Sequence, residues 1–173
     1  NKVFEIIEAK KIFGLKYNQL EILVHTKSYV HAIVKFTNGL IKILVHETDM
    51  KIPIFNSLYS NFDKKIKSKK IDFEILNNLN FQKVDVKKFP IVNLIKSLPS
   101  KDSLFETVIV SANDCLVNNF LNKKINFLDI SKVLFRIINS KEFIKYKQKE
   151  PLNIEEIKKL NKYVSLKVNN LCI

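Results

Sequence analysis

The first five residues of the chain place an amide, a cation and a carboxylate within one helical turn. These groups belong to Asn1, Lys2 and Glu5. Lys2 and Glu5 are three residues apart, so a helix puts them on one face. One interpretation is a surface ion pair, which is common and stabilises little. The other is a functional site, in which a lysine at a helix N-terminus binds a phosphate and Glu5 binds a hard divalent cation. Local spacing alone favours the surface ion pair.

The chain begins at this cluster without an initiator methionine. A natural start rarely places three such groups at residue one. We therefore expect this chain to be the C-terminal part of a longer protein. Its first residue would then lie within a functional site, and the other residues of that site would be encoded upstream.

A second polar group surrounds the start of a predicted strand. His25, Ser28 and His31 are spaced three apart. A metal site would need another strong ligand nearby, and a Ser–His nucleophile would need an orienting acid and an oxyanion hole. Polar residues that bridge strand and loop are the favoured interpretation. Met50, between an acidic residue and a lysine, is typical of a packed loop anchor, and an apolar lid over a planar ring is the less common alternative.

Composition indicates a globular protein and limits its function class. The chain has 173 residues, of which 46% are hydrophobic, and a net charge of +13. No apolar run approaches the roughly 18 residues of a membrane span. Arg136 is the single arginine, and the densest basic run, residues 64–70, contains no aromatic residue, so a solvated linker is favoured over nucleic-acid binding. Cys115 and Cys172 share no metal or redox spacing, which predicts free thiols in a reducing, cytoplasmic compartment.

Periodicity predicts an α/β segment at the start of the chain. Residues 3–13 have a helical pattern that ends at Gly14. A short apolar strand follows at Glu21–His25. Two alternating runs, Tyr29–Phe36 and Leu40–His46, flank Asn38-Gly39, which is the strongest short signal for an antiparallel hairpin. Residues 48–51 are then predicted as a loop.

The rest of the chain is predicted as a connector and a helical bundle. Residues 59–85 are polar and lysine-rich, as expected of a linker laid across a surface. The helices are predicted at Ile91–Leu98, Glu106–Leu121, Ile130–Asn139 with Asp129 as N-cap, and from an Asn153–Glu156 capping box to the end. The predicted fold class is an α/β (α+β) segment with an antiparallel hairpin, followed by a small all-α bundle. The predicted division is 1–58, linker 59–85 and helical domain 86–173.

In this order the motifs resemble one enzyme family along essentially the whole chain. They begin with N-K-x-x-E-x-I-E-A, a glycine-terminated helix and H-x-x-S-x-x-H. A hairpin, D-M-[KR]-x-P-I, a helix similar to N-A-A-N-E, and I-x-F-x-D-I follow. This set resembles 1-deoxy-D-xylulose 5-phosphate reductoisomerase. Val3 stands where the family usually has glycine, and Ser111-Ala112-Asn113-Asp114 stands where it has N-A-A-N-E. Spacing leaves open whether Asn113 and Asp114 are a surface pair or a buried bridge.

The resemblance implies an NADPH-dependent enzyme of non-mevalonate isoprenoid synthesis. The family converts 1-deoxy-D-xylulose 5-phosphate to 2-C-methyl-D-erythritol 4-phosphate. A divalent metal, Mg²⁺ or Mn²⁺, chelates the ketone and the neighbouring hydroxyl of this sugar phosphate and acts as Lewis acid. The rearranged aldehyde then accepts hydride from the nicotinamide. This chain would be the end of the catalytic domain, the linker and the helical domain, inactive without the NADPH domain.

The resemblance also assigns residues. Asn1 and Lys2 would contact the substrate, and Glu5 would contact substrate and be the third metal carboxylate. Ser28 and His31 would support the site, and Met50 would pack near the nicotinamide. A homodimer built partly on the hairpin is implied, with no nucleic acid or membrane as partner. The alternative function is a stand-alone basic module that binds RNA or an acidic protein.

Overall fold

The structure, a computed structural model, describes residues 1–59 and 64–172. The chain forms two compact units. One comprises Asn1–Glu21 together with the chain from Asp85 onward, and the other is Ile22–Val84. The helices and strands are α1 (Lys2–Phe13), β1 (Leu23–His25), β2 (Val30–Lys35), β3 (Ile41–Val45), α2 (Lys51–Leu58), α3 (Phe73–Asn77), β4 (Phe81–Lys83), α4 (Leu104–Leu121), α5 (Phe127–Ile138), α6 (Lys141–Ile144) and α7 (Ile154–Leu171), with 3-10 helices at Tyr17–Gln19, Pro90–Ser97 and Lys145–Gln148.

Helix α1 confirms the helix predicted for residues 3–13. It ends where Gly14 adopts a left-handed conformation with φ 63°, and the Gly14 N–H donates to the Lys10 carbonyl oxygen. A residue with a β-carbon would be strained at that φ. The buried face of α1 carries Val3, Ile6, Ile7 and Lys10, a helical stripe of which one member is charged.

The unit that comprises Asn1–Glu21 and the chain from Asp85 onward is called the helical unit below. Its core lies chiefly between α4 and α7, with α5 packed against α4. Helix α4 begins at a capping box, in which Phe105 N donates to Ser103 Oγ and Ser103 N donates to Glu106 Oε2. Such a box satisfies donors that a helix start leaves unpaired. Fully buried apolar side chains then fill the space between the helices: Leu104, Phe105, Val108, Ile109, Ala112, Leu116, Val164 and Val168.

Two of the predicted helix starts can be compared with the observed caps. The N-cap of α7 is Asn153, whose side chain accepts from Glu156 N, as predicted. The Glu156 carboxylate accepts from Leu152 N and not from Asn153 N, so the predicted capping box is only half formed. The prediction of Asp129 as the N-cap of α5 is wrong. The cap is Asn126, and Asp129 Oδ2 accepts from Asn126 N as the third residue of a capping box. A carboxylate is suitable both at the N-cap and at the third position of a helix, so the residue type of Asp129 did not distinguish the two positions.

The second unit contains two separate two-stranded antiparallel sheets. Strands β2 and β3 form the hairpin predicted around Asn38-Gly39. Leu40 N donates to Asn38 Oδ1 over 3.1 Å, and Gly39 has φ 87°, which explains the glycine at the turn. The pairing is irregular between Val30 and Ala32, so a bulge interrupts the predicted alternation next to His31.

Sequence patterns missed other elements of this unit. Strand β4 pairs with β1, with His25 opposite Phe81, inside the segment predicted to be a surface linker. Residues 60–63 of that linker lie outside the described residues. The predicted loop after Thr48 contains the start of α2, because Pro53 falls in the first turn, where its missing N–H costs nothing. The fold class is confirmed as a mixed segment with an antiparallel hairpin followed by a mostly helical region, while the division at residues 58 and 85 stays a prediction.

In the described part of the chain, no helix combines the length and the apolar character needed to cross a membrane.

Candidate functional site

The first turn of α1 presents the three groups singled out in the sequence. Lys2 Nζ donates to Glu5 Oε2 over 2.7 Å, and the two side chains are 65% and 51% exposed. Asn1 is the exposed N-cap residue, and its side chain makes no capping hydrogen bond. An amide, an ammonium and a carboxylate therefore face solvent together at the end of one helix.

Burial of the opposite face of α1 determines which way these groups point. Val3 is 6% exposed and belongs to the same core cluster as Ile7 and Leu94. At about 100° per residue, Glu5 lies well away from this stripe. The branched side chain of Val3, which stands where the resembling family has glycine, therefore supplies core packing at the base of the exposed turn.

Glu5 fits a divalent metal as a single ligand. Its carboxylate is a hard oxygen donor, the type that Mg²⁺ and Mn²⁺ prefer. No cluster of three or more His, Cys, Asp or Glu that could hold a metal ion occurs within residues 1–59 and 64–172. Lys2 bonds one oxygen of Glu5, so a metal bound there would compete with the ammonium. Other ligands of such an ion would have to come from elsewhere, including substrate oxygens.

Ser28, His31 and Met50 belong to the second unit. Ser28 lies in the turn before β2 with φ 51°, and its N–H donates to the His25 carbonyl oxygen over 3.1 Å. His31 Nε2 donates to the His46 carbonyl oxygen over 3.2 Å, and the two imidazole rings stack with centroids 3.5 Å apart. The stack holds the His31 ring in one orientation on the hairpin.

His25 has a different environment from that of His31. Its Nδ1 donates to the Asn80 carbonyl oxygen over 3.3 Å, and its ring lies 5.5 Å from that of Phe81. Its buried Nε2 has no hydrogen-bond partner in the described part of the protein. The structure thus directs His25 toward β4 and His31 toward β3, so the spacing of three does not produce a catalytic pair.

Met50 is the N-cap residue of α2 and is 62% exposed. An exposed thioether can pack against a planar ring, so its surroundings fit the contact with a nicotinamide that the resemblance assigns. The roles of Asn1, Lys2, Glu5, Ser28, His31 and Met50 stay predictions.

Sequence patterns missed an ionic cluster behind α1. Lys10 Nζ and Lys11 Nζ donate to Asp102 Oδ1 over 3.0 and 3.1 Å, and these bonds hold the pKa of the Asp102 carboxyl below its usual range. Burial, with the nearby charges of Glu106 and Asp102, raises the pKa of Tyr17. The available signal was Lys10 itself, a cation at the buried position of an otherwise apolar stripe.

Asp114 lines a polar groove of about 460 Å³, together with other residues of α4 and α7. Asn119 Nδ2 donates to Asn169 Oδ1 over 3.0 Å, and Cys115 Sγ donates to the same oxygen over 3.1 Å. Asp114 itself is exposed. The acidic residue of the N-A-A-N-E-like helix therefore lies at the surface of the bundle in this structure.

Comparison with known proteins gives one family. The family model described as the DXP reductoisomerase C-terminal domain matches residues 46–165. The chain is 62% identical over all 173 residues to 1-deoxy-D-xylulose 5-phosphate reductoisomerase of Pelagibacter ubique (strain HTCC1062), covering 45% of that protein. It is 33% identical over 157 residues to the enzyme of Aquifex aeolicus (strain VF5), covering 91% of this chain and 40% of that protein. The chain thus spans less than half the length of these relatives.

Solved structures agree. The crystal structure of DOX-P reductoisomerase in complex with NADPH, fosmidomycin and magnesium matches with a TM-score of 0.85 and 28% identity, covering 99% of this chain and 43% of that chain. The reductoisomerase from Zymomonas mobilis in complex with NADPH matches with a TM-score of 0.79 and 29% identity, covering 99% and 44%. Similarity therefore extends over nearly the whole chain.

Proposed function

The chain belongs to the 1-deoxy-D-xylulose 5-phosphate reductoisomerase family, and on that premise we propose that the protein carrying it converts 1-deoxy-D-xylulose 5-phosphate to 2-C-methyl-D-erythritol 4-phosphate. The proposed cofactors are NADPH and Mg²⁺ or Mn²⁺, and the proposed place is non-mevalonate isoprenoid synthesis. The observation that carries the proposal is the exposed Asn1–Lys2–Glu5 turn, in a chain similar to reductoisomerases over its full length.

Three groups of the α1 turn have complementary tasks in this proposal. The Lys2 ammonium donates to anionic or hydroxyl oxygens of the sugar phosphate, as a point charge at a helix N-terminus suits. The Asn1 amide can both donate and accept, which orients a substrate hydroxyl. Glu5, released from Lys2, offers its carboxylate to the metal and to a substrate hydroxyl. The residues thus bind and orient the ketone end of the substrate.

The metal, when bound, supplies Lewis acidity at the ketone and the neighbouring hydroxyl, and NADPH supplies the hydride. In the second unit, the exposed Met50 side chain provides an apolar contact for the nicotinamide ring and excludes water from it. Ser28 and the His31 ring, oriented by its stack on His46, are proposed to support substrate binding.

The deciding experiment follows NADPH oxidation by the protein carrying the chain, with the deoxyxylulose phosphate and Mn²⁺. We expect turnover that requires both. Glu5→Gln keeps the shape of the side chain and a bond to Lys2. We nevertheless expect the apparent metal affinity to fall at least about tenfold, because even the loss of a residue that only hydrogen-bonds to a metal ligand has an effect of this size. Glu8→Gln, exposed on the same helix, is the matched control. Equal metal dependence of the two variants, or no turnover by the unaltered protein, would refute the proposal.

We further propose a homodimer built partly on the β2–β3 hairpin. Ile33, Ile41 and Ile43 lie on one face of this hairpin and are 39–54% exposed, and exposed apolar clusters of this kind mark interfaces. Ile43→Glu should lower the mass measured by light scattering toward that of a monomer, while Lys35→Gln on the same hairpin should not. The assignment would be contradicted if both variants were dimers or if both were monomers.

A cytoplasmic location stays a prediction, which the free thiols of Cys115 and Cys172 support. The division of the chain at residues 58 and 85 also stays a prediction. Within the described residues, no observation favours the alternative of a stand-alone basic binding module.

A further inference from the structure

We propose that Lys10 is a positioning residue, whose buried ammonium joins α1 to the residues that precede α4 and thereby orients Lys2 and Glu5. The inference rests on the proposed function, because the orientation of the first turn matters for chemistry only if that turn binds substrate and metal. Lys10 contacts neither Lys2 nor Glu5 and is not assigned a part in the reaction itself.

Lys10 is buried in a manner unusual for lysine. It is 8% exposed and continues the apolar stripe of Val3, Ile6 and Ile7. Lysine is almost never fully buried unless it is paired. Its ammonium donates to Asp102 Oδ1 over 3.0 Å and lies 5.4 Å from the centre of the Tyr17 ring. A carboxylate and an aromatic face therefore compensate the charge.

A paired charge in a buried stripe restricts how the helix can move. Apolar side chains alone restrict such movement less specifically, because the hydrophobic effect is non-directional. A shift of α1 that separates Lys10 from Asp102, whose own side chain is 60% exposed, would leave the buried ammonium without its carboxylate partner, and a buried charge without a partner is costly. Asp102 precedes the Ser103 cap of α4, so the anchor point belongs to the best-packed helix of the unit.

The Lys10–Asp102 contact is close enough to the exposed first turn of α1 to affect its position. Glu5 and Lys2 precede Lys10 by five and eight residues, or about 7.5 and 12 Å along a helix. Helix α1 continues without interruption over this length, so a displacement at Lys10 moves Glu5 as part of the same rod. A mutation far from the chemistry that misplaces a positioned group by about 1 Å can lower a rate on the order of 10²-fold.

Lys11 provides a matched control beside Lys10. Its Nζ lies 3.1 Å from the same Asp102 oxygen and 3.8 Å from Glu106 Oε1, but its side chain is 41% exposed. The Lys11–Asp102 pair is exposed on both sides and stabilises little, whereas the longer contact reaches Glu106, whose side chain is only 7% exposed. Lys10→Met and Lys11→Met therefore remove the same charge and the same type of bond to Asp102. They differ in burial, and only Lys11→Met also removes the ion pair with Glu106.

The first measurement is hydrogen–deuterium exchange in the protein carrying the chain, which needs no substrate. We expect Lys10→Met, which removes the charge-assisted hydrogen bond to Asp102, to raise the exchange of α1 amides by about tenfold, with α4 and α7 unchanged. Lys11→Met should leave α1 within about twofold of the unaltered protein, and Lys10→Arg should restore its protection. If Lys10→Met does not fold, Asp102→Asn replaces it in the comparison. Because this variant retains an acceptor oxygen, its α1 exchange should lie between that of the unaltered protein and that expected for Lys10→Met. Equal α1 exchange in the two methionine variants overturns the inference.

The second measurement is Mn²⁺ affinity, with turnover beside it. Lys10→Met should weaken Mn²⁺ binding and lower kcat on the order of 10²-fold with a smaller change in KM, whereas Lys11→Met should change neither. Increased α1 exchange with unaltered Mn²⁺ affinity and kcat overturns the positioning role. If the unaltered protein shows no turnover, the proposed function fails, and the difference in Mn²⁺ affinity between the two variants still decides the inference.

Discussion

Asn161 Nδ2 donates to Ser111 Oγ over 2.8 Å, and this bond joins α7 to α4 across fifty residues of sequence. Ser111 is 1% exposed, among fully buried apolar neighbours. A buried hydroxyl needs a partner, so the bond specifies how the two longest helices of the unit align. This is the same interface whose outer edge carries the amide-lined groove with Asp114.

Removal of that hydroxyl should destabilise the helical unit modestly. Ser111→Ala leaves the Asn161 amide at an exposed position, where water can replace the lost partner. We therefore expect a loss of about 0.5–1.5 kcal/mol in the free energy of unfolding, the net value of one hydrogen bond. Urea denaturation followed by circular dichroism measures it. Ser131→Ala, which removes a bond confined to α5, is the control, and a larger loss in that variant would contradict the interface role.

Acid should weaken the attachment of α1 through Asp102. Because Lys10 and Lys11 lower the pKa of the folded Asp102 carboxyl, the unfolded chain takes up this proton first as pH falls. The contribution is present above about pH 4, the usual Asp range, and is lost as pH falls through the folded value. Glu106 and Tyr17 also face this group.

Asp102→Asn abolishes that titration. Between about pH 5 and pH 2, the unfolding free energy of the variant should fall less steeply than that of the unaltered protein. Urea titrations at fixed ionic strength give the two slopes, and identical slopes would show that Asp102 does not contribute.

Substitution of Val3 by the glycine of related enzymes should destabilise α1 rather than improve it. Val3 belongs to the core cluster, so Val3→Gly loses the burial of its side chain, about 1.5–3 kcal/mol, and adds a smaller cost of about 0.5 kcal/mol because glycine has a lower helix propensity than valine. Ile12→Gly at a position 65% exposed should cost only the propensity. Thermal unfolding compares the two, and equal costs would mean that Val3 does not pack as described.

Both cysteines should react slowly in the folded protein. Burial is the largest cause that raises the pKa of Cys115 and of Cys172. Less thiolate is then present near pH 7.5, and thiolate is the reactive form. We expect alkylation by iodoacetamide, followed by mass spectrometry, to be at least about tenfold slower than in urea and to accelerate as pH rises. Equal native and denatured rates would contradict this environment.

Elements with a local cause could be predicted from the sequence. Gly14 ends α1, Asn38-Gly39 turns the hairpin, and Asn153 begins α7, because each feature depends on residues within about four positions. The family resemblance also rests on motifs whose order is set by the sequence alone.

Elements that depend on distant partners could not be predicted in this way. Strand β4 is three residues long and exists by pairing with β1, almost sixty residues earlier. A segment of three residues is too short to show the alternation that identifies a strand. The cap of α5 was misplaced for a subtler reason, since Asn126 and Asp129 both suit a capping box.

The candidate site divides in the same way. Residue types and spacing by themselves determined that Asn1, Lys2 and Glu5 share the first turn of a helix, because helical geometry needs nothing beyond the local chain. Only the tertiary structure decided that this turn faces solvent while Lys10 is buried against Asp102, ninety-two residues away. Burial and ion pairing are set by what packs against a helix, and the partner that pairs with Lys10 is encoded in a distant part of the chain.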